Sequence, residues 1–218
     1  MNKISASGNP LSLNKKTFNR AIRMLTRRDS SLGRIVETLG PPPMWRRPAE
    51  FSTLVRIILE QQVSLASAKA TYQKLIEKNS PLTPEKFLRL NDQQLKGFGF
   101  SRQKSRYCRL LAAELVNGDF GLEELKRMTD EQVRASLMQM KGIGPWTADI
   151  YLLMALNRPD AWPSHDLALA MALQKLKELD LPPSVIELEE FGEAWKPWRA
   201  VAARILWHFY LSPAFKSN

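Results

Sequence analysis

The chain has 218 residues and carries 32 Lys and Arg against 22 Asp and Glu, a formal charge of +10. That length suits one fold-sized unit or two closely packed halves, and the basic excess, which no low-complexity tail carries, points to a polyanionic partner. The single cysteine, Cys108, excludes an internal disulfide framework and any four-cysteine zinc or iron–sulfur site.

No stretch reaches the ~18 apolar residues of a membrane span, and the start, MNKISASGNPLSLNKK, lacks the apolar core of a secretory signal. An intracellular protein with no membrane partner is expected, with residues 1–13 as a flexible tail. FNRAIRMLTRRD and SLGRIVETLG then carry apolar residues at three- and four-residue spacing, and GPPPMWRRP forbids any helical continuation. A linker between two units is expected there. AEFSTLVRIILEQQVS is a strongly apolar helix, and helical spacing resumes in SLASAKATYQKLIEKN after a short polar break at 61–64.

LTPEKFLRL places Thr83 at an N-cap and Pro84 at the first helical position, while NDQQLKGFG begins on Asn91 and ends on glycine. SRQKSRYCRLLAAELVNG begins on Ser101 and stops at Gly118, and LEELKRM and TDEQVRASLMQM follow. Beyond the KGIG stretch come PWTADIYLLMAL, the loop NRPDAWPSH, and the helical segments DLALAMALQKL, SVIELEEFGEAW and PWRAVAARILWHFYL. No period-2 alternation is long enough for a sheet, so the fold class is all-α.

The informative stretch is MKGIGPWTAD, Met140 to Asp149. Proline after Gly144 is preset for a first helical turn, so a helix should start at Pro145. Gly142 and Gly144 tolerate φ > 0 and let a neighbouring chain approach the backbone closely. The amides of Gly142, Ile143 and Gly144, with the positive end of the helix, make an anion site suited to a phosphate, to which Thr147 would add a hydroxyl. Taken alone, a tight helix–helix turn explains the glycines as well. Two flanking helices, the net charge and Lys141 beside the first glycine favour a hairpin that grips a nucleic-acid backbone without reading bases.

KGIGPWTADIYLLMALNRPDAWPSHDLALAMAL resembles the signature region of the helix-hairpin-helix DNA glycosylases, specifically the 3-methyladenine DNA glycosylase II branch. ILEQQVSLASAKA, GFGFSRQKSRYCRLLA and WKPWRAVAARILW resemble that branch's other segments in the expected order. The resemblance implies a two-lobed all-α fold with the active site in a cleft between lobes. The lobes are placed at 48–156 and at 14–47 plus 157–218. A compact form without the N-terminal sheet domain of some relatives is expected. The implied partner is double-stranded DNA containing damaged bases, bound by a monomer.

The resemblance also assigns roles. Asp166 of PSHDLAL matches the position of the family's catalytic aspartate; by its own context it is a helix N-cap, and the two roles are compatible. Trp146 stands where branches that also cut the DNA backbone carry a Schiff-base lysine, which implies a monofunctional hydrolase leaving an abasic site. Trp146 and Trp207 match positions around the flipped base, although helix aromatics are also ordinary core residues, and Ile150 replaces the tyrosine found often in that branch. Gln62 matches the plug that fills the vacated stack, while a solvated helix-terminal glutamine fits its spacing as well. Ser101 and Lys104 match residues near the DNA backbone, and His165 reads as a loop residue rather than an acid. No metal or organic cofactor is expected, with a monovalent cation under the hairpin carbonyls left open. The rival readings are a glycosylase for other damaged or mismatched bases and a hairpin module that binds DNA without catalysis.

Overall fold

The computed structural model describes residues 12–118 and 120–216. These form fourteen helices and, among the described residues, no strand. In chain order they are α1 (Lys15–Arg28), α2 (Ser30–Leu39), α3 (Phe51–Glu60), α4 (Leu65–Asn79), α5 (Pro84–Leu88), α6 (Asp92–Phe98) and α7 (Arg102–Asn117). There follow α8 (Leu122–Leu125), α9 (Asp130–Met138), α10 (Pro145–Met154), α11 (Leu167–Leu176), α12 (Val185–Glu193), α13 (Arg199–Tyr210) and α14 (Pro213–Lys216). The last was not foreseen from sequence. Side-chain caps start most of them: Thr83 accepts the Lys86 amide, Ser101 the Lys104 amide, and Asn91 closes a reciprocal box with Gln94. Each such cap satisfies an amide that the first turn leaves without a partner.

The chain divides into two compact units. The first runs from Arg47 to Tyr151, and α7 is its hub, packed against α3, α5 and α6. Phe87 lies 5.8 Å from Phe51 and 5.8 Å from Phe100 between ring centroids, an aromatic nucleus in which each buried ring contributes roughly 1.5–3 kcal/mol. Arg47 forks onto Glu60 with two bonds of 2.8 Å, fastening the start of the unit to the last turn of α3. Cys108 is fully buried there, and burial pushes its thiol above the ordinary range, so it is packing rather than chemistry.

The second unit combines residues 12–46 with 152–216. Its axis is α13, whose residues Ala200 through Trp207 are all buried, with α1, α2, α11 and α14 packed around it. A helix apolar on one stripe would need covering on one side only; this one is covered all round. The exception to its apolar character is Arg204, fully buried, which donates to the carbonyls of Met44 (2.7 Å), Ala200 (2.8 Å) and Leu153 (2.7 Å). Burial, with Arg46 nearby, pulls Arg204 down to about 9, which still leaves it charged at neutral pH.

The units meet in the sequence inside α10 rather than at the expected 156/157 boundary, because an unbroken helix leaves no turn signal at the crossing. The tail expected over 1–13 falls outside the described residues as far as 11. At its end the expectation differs from the structure, since Leu13 is buried and its amide donates to the Asn157 carbonyl at 2.7 Å. No described helix is long and apolar enough to cross a membrane.

Candidate nucleic-acid interface and active-site carboxylate

Helices α9 and α10 flank the glycine turn. Gly142 has φ +94°, and a Cβ there would lie 2.2 Å from the Tyr107 ring, so both conformation and space demand glycine. Gly144 differs from the expectation: its φ is not in the left-handed region, and a Cβ would meet nothing within 4 Å. Its lack of a side chain therefore keeps the outer surface bare. The Ile143 side chain is buried and roots the turn, so only its backbone belongs to the surface. Its amide is used within the turn, donating to Met140 O at 3.1 Å, whereas among the described residues the Gly142 and Gly144 amides make no hydrogen bond. They lie beside the N-terminus of α10, which begins at Pro145 as expected. Lys141 is exposed next to them. This half-exposed cluster of donors at a helix start is competent to hold an anion.

The turn is braced by a residue the sequence reading missed. Gln61 Nε2 donates to Gly142 O at 2.9 Å and to Thr147 Oγ1 at 2.8 Å. Thr147 is thus buried and its hydroxyl engaged inward, contrary to the expectation that it would face a phosphate. Lys104 is corrected in the same way: its ammonium donates to Leu59 O (2.7 Å) and Gln61 O (2.9 Å), neutralising the carbonyl end of α3. Partial burial lowers its pKa. Ser101 is exposed and spends its hydroxyl oxygen on the α7 cap. Gln62, one residue past the brace, is exposed with φ +53°, a left-handed position that few non-glycine residues adopt, and so stands at the tip of the break between α3 and α4. The only hint of the brace in sequence is a polar pair closing an apolar helix. A cation at the hairpin carbonyls would share Met140 O with the Ile143 amide and Gly142 O with Gln61. On α10, Trp146 is half-buried and Ile150 is buried. Arg134 of α9 pairs with Asp149 of α10 at 2.6 Å, joining the two helices of the hairpin.

In the second unit, Asp166 caps α11. The Leu169 amide donates to its Oδ1 at 2.9 Å and the Trp207 indole N–H donates to the same oxygen at 3.0 Å. The cap reading therefore holds in the structure, and Trp207, 7% exposed, has its polar edge committed to the carboxylate. Two donors hold Asp166 in one orientation at the start of α11. His165 is exposed beside it, as its loop position predicts, with Nδ1 3.5 Å from Ser164 Oγ. Among the described residues no group of three or more His, Cys, Asp and Glu could hold a metal ion.

A braced glycine hairpin and a capped aspartate beyond it define a class, and comparison with known proteins supplies its name. The model of the HhH-GPD superfamily base excision DNA repair proteins matches residues 55–198, more than half of the chain, and the chain belongs to that family. It is 27% identical over 87% of its length to the alkylbase DNA glycosidase-like protein mag2 of Schizosaccharomyces pombe, covering 92% of that protein. It is also 27% identical over 82% of its length to the putative DNA-3-methyladenine glycosylase YfjP of Bacillus subtilis, of which it spans 65%. Among solved structures, the Schizosaccharomyces pombe 3-methyladenine DNA glycosylase Mag1 in complex with abasic DNA superimposes with a TM-score of 0.81 at 27% identity, over 86% of this chain and 95% of that one.

Proposed function

We propose that this protein is a DNA glycosylase of base excision repair that releases alkylated purines, of the 3-methyladenine and 7-methylguanine type, from duplex DNA. The observation that carries the reading is the Asp166 carboxylate, anchored by the Leu169 amide and the Trp207 indole at the start of α11. The relatives named above support the substrate class.

The target base must leave the stack before its glycosidic bond is accessible. The glycine turn grips the backbone through its amides, and Gln62, at the exposed, left-handed tip of the break between α3 and α4, fills the gap. An N-alkylated purine carries positive charge, so as the C1′–N bond breaks the base takes the bonding pair and leaves neutral, and positive charge appears on the sugar. Asp166 opposes that developing charge, as carboxylates do in glycoside hydrolysis. A water then adds at C1′ and gives up its proton, leaving an abasic site. Trp146 has no amine with which to form a Schiff base, which supports hydrolysis without strand cleavage. The protein acts as a monomer wherever its DNA is held.

The test is release of free bases from methylated duplex, identified by mass spectrometry, for the wild type and Asp166→Asn. Asparagine still caps α11, so the variant should keep its affinity for lesion DNA while base release falls by about 10²–10⁴-fold. Borohydride added to the reaction should leave no protein–DNA adduct. A fully active Asp166→Asn would remove Asp166 from the chemistry, a wild type that releases no base would leave only the binding module, and a trapped adduct would overturn the hydrolytic assignment.

A further inference from the structure

Trp45 sits in GPPPMWRRP, the segment read from sequence as a linker, but its position is specified by the surrounding residues. The half-buried indole meets two rings of α13 edge-on: Trp207 at 6.4 Å and 67°, and His208 at 6.5 Å and 64°. Its backbone has φ +44°, a region sparsely populated by residues with a side chain. Arg204, three residues before Trp207 on α13, holds the peptide that precedes Trp45: its Nε donates to the carbonyl of Met44 at 2.7 Å. His208 is fixed in turn, with Nε2 3.2 Å from the Leu39 carbonyl. A conformation that costs free energy and is held from several sides is a recurrent mark of binding sites.

Trp207 is buried and its N–H is spent on Asp166, so little of that ring remains to receive a base. Trp45 is the ring against it that keeps accessible surface. We propose that Trp45 is a specificity-determining residue, the stacking face for the extruded cationic purine, and that Trp207 serves as a positioning residue for Asp166. The proposal rests on the alkylpurine glycosylase reading. Its chemistry is the attraction of an electron-rich indole face for a positively charged base, which weakens from tryptophan to phenylalanine and vanishes in leucine.

The experiment compares wild type, Trp45→Phe and Trp45→Leu in single-turnover release of 7-methylguanine from methylated duplex, alongside affinity for a duplex with an abasic site and the thermal midpoint. An abasic duplex offers no base to stack on. Release should fall a few-fold in Trp45→Phe and roughly 10-fold in Trp45→Leu, with abasic-site affinity held within about two-fold of wild type. Equal release by all three proteins overturns the proposal, and so does a loss of abasic-site affinity that parallels the loss of release, because that marks a structural role. A wild type that releases no methylated base defeats the glycosylase reading itself, a failure distinct from an active wild type indifferent to Trp45.

Discussion

At the Gln61 side chain, one amide group joins segments 81 and 86 residues away in sequence, through Gly142 O and Thr147 Oγ1. Removing it leaves a carbonyl and a hydroxyl beside the turn without their donor, at a cost of about 1–3 kcal/mol each where they are buried. Gln61→Ala should therefore lower the thermal midpoint by several degrees and weaken affinity for undamaged duplex by roughly 10-fold, read by fluorescence anisotropy. Unchanged duplex affinity would show that the brace does not shape the anion site. The polar break that carries Gln62 was legible as an interruption after an apolar helix. The partners of Gln61 and of Lys104 were not, because they lie 43 to 86 residues away in sequence and three of the four are backbone oxygens, which carry no sequence signal.

At the level of the hairpin, the two glycines have separable tasks. Gly142 is required by its φ of +94° and by the Tyr107 ring, whereas Gly144 has an ordinary backbone and open space around it. Gly142→Ala should destabilise the fold by roughly 1–3 kcal/mol or more. Gly144→Ala should leave the thermal midpoint near wild type and still weaken duplex binding, since its methyl group projects from the face that a phosphate must approach. Thermal melts with duplex titrations of both variants check this, and an equal loss of stability would erase the distinction. The sequence marked the hairpin through glycine spacing and Pro145, but treated the two glycines alike. Only the backbone angles and the Tyr107 ring separate them.

Across the whole molecule, the excess of ten positive charges favours a polyanion, and the number of phosphates contacted sets how binding responds to salt. Affinity for undamaged duplex should fall linearly on a log–log plot, with a slope of about 0.9 per phosphate neutralised. Lys141→Ala, which removes an exposed cation beside the turn, should flatten that slope by about 1 with little effect on the melting temperature. An unchanged slope would place Lys141 away from phosphate. The same scale explains why α13 could be read as helical but not as central: its alanine-rich pattern fits many packings, and Arg204 looks like a surface cation until its three carbonyl partners are known.

Helical periodicity, capping residues, the glycine–proline turn and the aspartate ahead of an apolar run are local properties, written in neighbouring residues by propensity and hydrogen-bonding reach. From them the sequence alone determined an all-α chain with a hairpin suited to an anion and a capped carboxylate. The tertiary structure alone decided that Thr147 and Lys104 turn inward, that Gln61 ties the hairpin to α3, that Trp207 is bonded to Asp166, and that Trp45 packs on Trp207. Those are contacts between distant segments. A side chain of one type can serve as brace, cap or surface, and which it becomes depends on what the fold places within hydrogen-bonding distance.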